Sequence, residues 1–196
     1  GKKEAEVALD MISLFPHDTY KGHGLRKDLA ETIAALKPKF VRFPGGCMSH
    51  GEGIDNIYHW NHTVGPWQDR VPDKNIWHYH QTRGLGFYEY FQFCEDIGAE
   101  PLPVLAAGVP CQNSGPDKDG FGGQQGGIPM EDMPAYCQEI LDMIEWANGD
   151  PAKSKWAKMR ADAGHPEPFN LKYVGIGNED IISTVFEERC LMICKA

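Results

Sequence analysis

The chain has 196 residues, 41% hydrophobic and 24% charged, with a formal net charge of −9. This is a globular composition, long enough for one domain with a real core, and it excludes a disordered chain. The acidic balance argues against a nucleic-acid or anionic-membrane partner, since both need clustered Lys and Arg. No apolar run approaches the roughly 18 residues of a membrane span.

After a polar lead-in, the run Val7 to Phe15 predicts a first strand, ended by Pro16. Leu25, Leu29, Ile33 and Leu36 then form one apolar stripe, predicting a helix over 25–36 that Pro38 stops. Phe40 to Phe43 predicts the second strand, cut off by Pro44-Gly45-Gly46. A long polar and aromatic segment follows, to about Arg83. The next helix is predicted over 87–97, with Phe87, Tyr90, Phe91, Cys94 and Ile97 buried and Gly98 as its stop.

Leu102 to Ala106 predicts the third strand, and the Gly-rich stretch 115–127 a surface loop. A third helix is expected over 134–147, facing Tyr136, Cys137, Ile140, Leu141 and Ile144 inward. Leu171 to Ile176 predicts a fourth strand. A fourth helix is expected from about Ser183, with a capping box from Thr184 to Glu187 and a stripe of Phe186, Cys190 and Ile193.

Four strand–helix units in succession predict an α/β fold with a parallel sheet and crossover helices. The long loops follow strands two and three, which is where a (β/α)8 barrel of the TIM type builds its site. Four units are half of such a barrel, which needs roughly 250 residues. An open doubly wound sheet fits the alternation too, but no Gly-x-Gly-x-x-Gly opens a first helix.

The cysteines Cys47, Cys94, Cys111, Cys137, Cys190 and Cys194 form no Cys-x-x-Cys pair. Cys94, Cys137 and Cys190 fall on apolar helix faces and read as buried free thiols. His59, His62, His78 and His80 offer nitrogens for a metal. They lie on a loop without the His-Glu-x-x-His helix that fixes zinc geometry, so no metal and no cofactor is expected. Trp60, Trp67, Trp77 and Tyr79 share that loop, either to stack on sugar rings or to pack the loop down. Arg42 is expected either to orient a carboxylate or to form a structural ion pair.

The most telling stretch is Val174-Gly175-Ile176-Gly177-Asn178-Glu179, a strand ending in a carboxylic acid. A Glu at the C-terminal tip of a barrel strand sits where such barrels do chemistry. The Asn before it supplies a neutral donor and acceptor suited to gripping a sugar hydroxyl. Locally, an exposed helix-entry carboxylate explains the same residue.

Several segments together resemble glycoside hydrolase family 51, the α-L-arabinofuranosidases. They are Phe40 to Cys47 (Phe-Val-Arg-Phe-Pro-Gly-Gly-Cys), Tyr58-His59-Trp60-Asn61, Thr63 to Trp67, and Gly175 to Glu179. Gly24 to Leu29 and Gly164 to Phe169 look like the branch shared by plant and some bacterial members. The likeness runs from about Ser13 to Lys195.

The resemblance implies a (β/α)8 barrel, here residues 1–196 as its first four units. It implies retaining release of terminal arabinofuranosyl groups from arabinose-containing polysaccharides or oligosaccharides. It makes Glu179 the general acid/base and Asn178 its sugar-holding neighbour; Cys47, from the Pro-Gly-Gly-Cys turn, and Trp60, from the aromatic loop, are expected as further substrate contacts. Cys47 stands where many relatives have Asn. Retaining chemistry needs a second carboxylate about 5 to 5.5 Å away. The family's nucleophile and its C-terminal β-sandwich have no counterpart here, so this segment alone is expected to be inactive. Another retaining barrel glycosidase or a non-catalytic sugar-binding half barrel are the alternatives. Open strand edges predict self-association. Sugar scavenging suits a periplasmic or secreted protein, while unpaired cysteines also allow a cytoplasm.

Overall fold

A computed structural model describes residues 6–10, 12–116 and 119–196. They fall into two compact units, Gly1–Leu36 and Lys37–Ala196.

In the first unit a 3-10 turn at Tyr20–Gly22 precedes helix α1, Lys27–Ala35. Thr19 and Arg26 pair across the turn, and the Thr19 hydroxyl accepts from the Gly24 amide at 3.1 Å. The predicted first strand is not formed: residues 6–10 and 12–16 have no strand structure, and Met11 lies outside the described residues. Val7, Leu9, Ile12 and Leu14 are exposed. Apolar pattern alone does not make a strand, because the ladder needs a neighbour. The helix is present as predicted, but its stripe is not buried. Leu29, Ile33 and Leu36 are exposed, and only Ala30 is covered.

The second unit is the α/β half of the prediction. Strand β1 is Phe40–Phe43, followed by a short helix α2, Gly46–His50. A two-stranded hairpin joins β2, Asp73–Lys74, to β3, His80–Gln81. Helix α3 is Phe87–Ile97, β4 is Glu100–Leu105, and helix α4 is Met133–Asn148. Helix α5 is Lys155–Asp162, β5 is Gly175–Ile176, and helix α6 is Thr184–Lys195. Strands β1, β4 and β5 form a parallel sheet in the order β1–β4–β5, an open arc and not a closed barrel among the described residues.

Pro101 and Pro103 sit in β4 without breaking it. They fall in the stretch paired only with β1, while Val104 and Leu105 carry the pairing to β5. At the end of α3, Gly98 takes the left-handed conformation (φ 70°), and its amide reaches back into the last turn.

Four expectations need correction. The fourth strand is two residues long and not six, and at the start of the predicted run the Asn148 side chain takes both backbone groups of Leu171. Its Oδ1 accepts from the Leu171 amide at 2.7 Å, and its Nδ2 donates to the Leu171 carbonyl at 2.9 Å. Helix α5 appears inside what reads as a long return. It is capped by Ser154 and pinned by Arg160, a fully buried guanidinium donating to the carbonyls of Trp146, Gly149, His165 and Pro166. Helix α6 is capped by Ser183, whose hydroxyl accepts from the Phe186 amide, and not by Thr184. On α4 the buried stripe is Met133, Tyr136, Cys137, Ile140, Met143 and Ala147, leaving Leu141 and Ile144 exposed.

Among the described residues all six thiols are free. Cys94 and Cys137 are buried as predicted, while Cys190 is only half-buried. Burial pushes the Cys94 thiol up to about 12, which makes it unreactive.

The core behind the sheet is an aromatic slab. Trp60 lies 5.8 Å from Trp146 and 5.1 Å from Trp156, ring centre to ring centre. Phe91 lies 5.3 Å from Trp146 and 5.1 Å from Phe169. Such pairs add about 0.5–1.5 kcal/mol each beyond area burial. The Tyr136 hydroxyl ties α4 to the sheet by donating to the Ala106 carbonyl at 2.9 Å.

Candidate active site

The C-terminal ends of β1, β4 and β5 each lead into a short segment that contributes to the site: Pro44–Cys47, Ala106–Gln112 and Gly177–Asp180. The β5 segment is bound to β4 by the Gly177 amide, which donates to the Leu105 carbonyl at 2.7 Å. Glu179 follows with a left-handed backbone (φ 51°), uncommon for a residue other than Gly. Its side chain is exposed.

Four side chains converge on this tip. Arg42 Nη2 donates to Asn178 Oδ1 at 2.7 Å. Asn178 Nδ2 lies 3.4 Å from Glu179 Oε2. Gln112 Nε2 donates to the same Oε2 at 2.8 Å, and the Cys47 thiol lies 3.9 Å from it. One carboxylate oxygen thus faces three donors, while no donor to Oε1 is seen among the described residues.

Gly46 is required at its position for a reason visible in the geometry. A Cβ there would fall 1.9 Å from Asn178 Cγ, so the absence of a side chain is what lets Asn178 stand between Arg42 and Glu179. The sequence shows Pro-Gly-Gly only as a sharp turn; its steric purpose appears once β1 and β5 are brought together.

Of the predicted site residues, Glu179, Asn178 and Cys47 come together. Trp60 does not. It is fully buried in the aromatic slab, and its indole N–H donates to the Glu139 carbonyl at 2.8 Å. With both faces packed it offers no surface to a sugar, so its placement among substrate contacts is corrected to core. Trp67, Trp77 and Tyr79 from the same loop are exposed. Arg42 meets neither of its expectations: its partner is an amide oxygen, one residue short of the acid.

Gln112, Asp180, Gln124 and His50 were not singled out by sequence reasoning. For Gln112 the available signal was its place just beyond a predicted strand tip. For Asp180 it was adjacency to Glu179.

The histidines do not gather. Among the described residues no three metal-ligating side chains come together. His59 Nδ1 instead lies 2.8 Å from Glu139 Oε2, and that hydrogen bond holds the His59 imidazole above its ordinary pKa. His62, with its ring 5.1 Å from His59, is pushed down by burial and then by its neighbour's charge. Cys111, whose thiol lies 3.1 Å from Gln112 Oε1, is pushed up to about 11, chiefly by burial. A cleft of about 980 Å³ is lined by Asn56, His59, Phe121, Asp132, Glu139 and Arg189 among others, and Glu179 is not part of its lining.

A parallel strand–helix arc with a carboxylic acid and an amide at a strand tip is the arrangement of an α/β barrel protein that builds its site at the C-terminal ends of its strands. The family described as the alpha-L-arabinofuranosidase 1 domain matches residues 32–196. The chain belongs to that family.

It is 47% identical over 198 residues to an extracellular exo-alpha-L-arabinofuranosidase of Streptomyces chartreusis, covering 93% of this chain and 22% of the relative. To alpha-L-arabinofuranosidase 1 of Arabidopsis thaliana it is 42% identical over 195 residues, covering 99% and 27%. The solved structure of an arabinose-bound family 51 α-L-arabinofuranosidase superposes with a TM-score of 0.72 at 42% identity, covering 83% of this chain and 24% of that one. An arabinose complex of the Thermotoga maritima α-L-arabinofuranosidase gives 0.57 at 28% identity, covering 81% and 26%. The chain spans about a quarter of the length of these relatives. Among the described residues no helix is long and apolar enough to cross a membrane.

Proposed function

We propose that this chain is the acid/base-bearing part of a retaining α-L-arabinofuranosidase, acting on terminal arabinofuranosyl groups of polysaccharides or oligosaccharides. One observation carries the reading: Glu179 stands exposed at the tip of β5, with one oxygen held by Gln112 and close to Asn178 and Cys47, and with no donor to the other seen among the described residues. Residues 1–196 read as the N-terminal part of a (β/α)8 catalytic domain, three of whose parallel strands are formed among the described residues. The second carboxylate belongs to a part of the barrel beyond the sheet described above.

In the first step that carboxylate attacks the anomeric carbon while Glu179 gives its proton to the departing glycosidic oxygen. In the second, Glu179 takes a proton from water as the water's oxygen attacks the glycosyl–enzyme bond and frees the carboxylate. Asn178, fixed by Arg42, and the Cys47 thiol line the same side of the acid and are placed to meet sugar hydroxyls. The extracellular designation of the Streptomyces relative favours a secreted or periplasmic protein. The open edges of β1 and β5 favour self-association of the 196-residue segment when it is made alone, which light scattering against concentration would reveal.

The test is Glu179→Gln in the full-length protein, assayed on a phenyl α-L-arabinofuranoside. Loss of general acid/base catalysis lowers kcat by about 10²–10⁴-fold. Glu179→Ala should regain turnover when azide is added, because azide needs no base to attack the glycosyl–enzyme. An unchanged rate would remove Glu179 from the mechanism.

A further inference from the structure

Asp180, the residue after the acid, holds more of the tip together than Glu179 does. Its Oδ2 accepts from the Asn178 amide at 2.8 Å, closing the turn that carries Glu179 in its left-handed conformation. The fit leaves no room for a side chain at position 177. A Cβ on Gly177 (φ 80°) would fall 2.0 Å from Asp180 Oδ2.

The other oxygen, Oδ1, accepts from Gln124 Nε2 at 2.7 Å, and Gln124 Oε1 accepts in turn from the Ile181 amide at 2.5 Å. Gln124 is buried, although it comes from the Gly-rich stretch that reads as a surface loop. His50, at the end of α2, stands with Nε2 3.5 Å from Oδ1, fully buried, and neither ring nitrogen makes a hydrogen bond among the described residues.

Both oxygens are therefore committed inward. Neither serves the N-terminus of α6, which Ser183 caps. A carboxylate with one oxygen on a backbone amide and the other on a buried side-chain amide is held on two axes, and it fixes the residues on either side of it. It also joins the β5 tip, the Gly-rich loop and α2, the helix that begins beside Asn178 and carries Cys47.

We propose that Asp180, seated by Gln124 beside His50, is the positioning residue of the acid/base, setting the angle at which Glu179 meets the leaving oxygen. This rests on the function proposed above. The consequence is selective. Proton delivery to a poor leaving group depends on that angle, whereas departure of a dinitrophenolate needs little protonation.

The experiment compares Asp180→Asn with wild type in the full-length protein, on phenyl and dinitrophenyl α-L-arabinofuranosides. The Asn amide group would point N–H at the Gln124 N–H, so the seat is lost while the shape is kept. Expected is a fall in kcat/KM, which reports the first step alone, of about 10- to 100-fold on the phenyl substrate and within about threefold on the dinitrophenyl one. The double variant Asp180→Asn, Gln124→Glu, which again sets an acceptor against the donor, should recover most of the loss. Equal losses on both substrates, or none, would overturn the proposal.

Hydrogen exchange read by mass spectrometry on the peptide spanning 175–181 gives a second readout in Asp180→Ala. Exchange there should quicken about tenfold or more, since the Asn178 and Ile181 amides lose the network that holds them. If wild type turns over neither substrate, the proposed function fails and the positioning of an acid/base with it; if wild type is active and exchange in this peptide is unchanged, the positioning role alone is overturned.

Discussion

The strand-tip site and the aromatic slab behind it are built in opposite ways. In the slab Trp60, Phe91, Trp146 and Phe169 exclude water and are held by contact area. At the tip the side chains of Arg42 and Glu179 are exposed and those of Asn178 and Cys47 half-exposed, and they are held by hydrogen bonds across two strands. On the function proposed, the slab sets stability and the tip sets chemistry, and the two should separate under mutation.

The largest expected effect tests that separation directly. Phe91→Ala should cost about 3–5 kcal/mol in urea unfolding, while Glu179→Ala should stay within about 0.5 kcal/mol in the same measurement. Comparable losses for both would mean that the tip carries stability.

Glycines sharpen the contrast. Gly46→Ala should force Asn178 off Arg42 and lower kcat/KM by about 10- to 100-fold, as steady-state kinetics would show. Gly98→Ala has open space but a left-handed backbone. It should cost about 1 kcal/mol of stability and leave the activity of folded molecules unchanged.

The smallest effect belongs to the His59–Glu139 pair. Glu139 raises the His59 pKa, so the pair's stabilisation is full below the unfolded value of about 6.5 and fades as pH rises through the folded value. Its size is under about 1 kcal/mol. Urea midpoints from pH 5 to 8 for wild type and His59→Gln should converge as pH rises. The subtraction removes His50, whose burial-lowered pKa acts in the other direction, weakening the fold as pH falls.

Helices α1 and α3 show how far sequence patterns reach. Both carry an apolar stripe, and both form helices near the predicted bounds. In α3, Phe87, Phe91 and Cys94 are buried, while in α1 the stripe is exposed. Periodicity specifies a helix with one sticky face; whether that face is covered depends on what lies opposite. The same holds for Trp60, Trp67 and Trp77 in one loop: only tertiary packing sends the first inward and leaves the other two at the surface.

What the sequence determined by itself was local or motif-borne. Strand β1 and helix α3, the stop at Gly98 and the alternation that makes a parallel sheet follow from side-chain period and from glycine's access to positive φ. The family and the place of Glu179 followed from motifs in order. Tertiary structure alone decided which atoms meet. It gave Asn148 the backbone groups of Leu171, at the start of the run that reads as a strand. It made Gly46 the gap that Asn178 fills, and it brought Gln112, Gln124 and His50 to the strand tip from segments 55 to 129 residues away from Glu179. Hydrogen bonds and steric fit act over a few ångströms, and spacing along the chain does not encode proximity across a sheet.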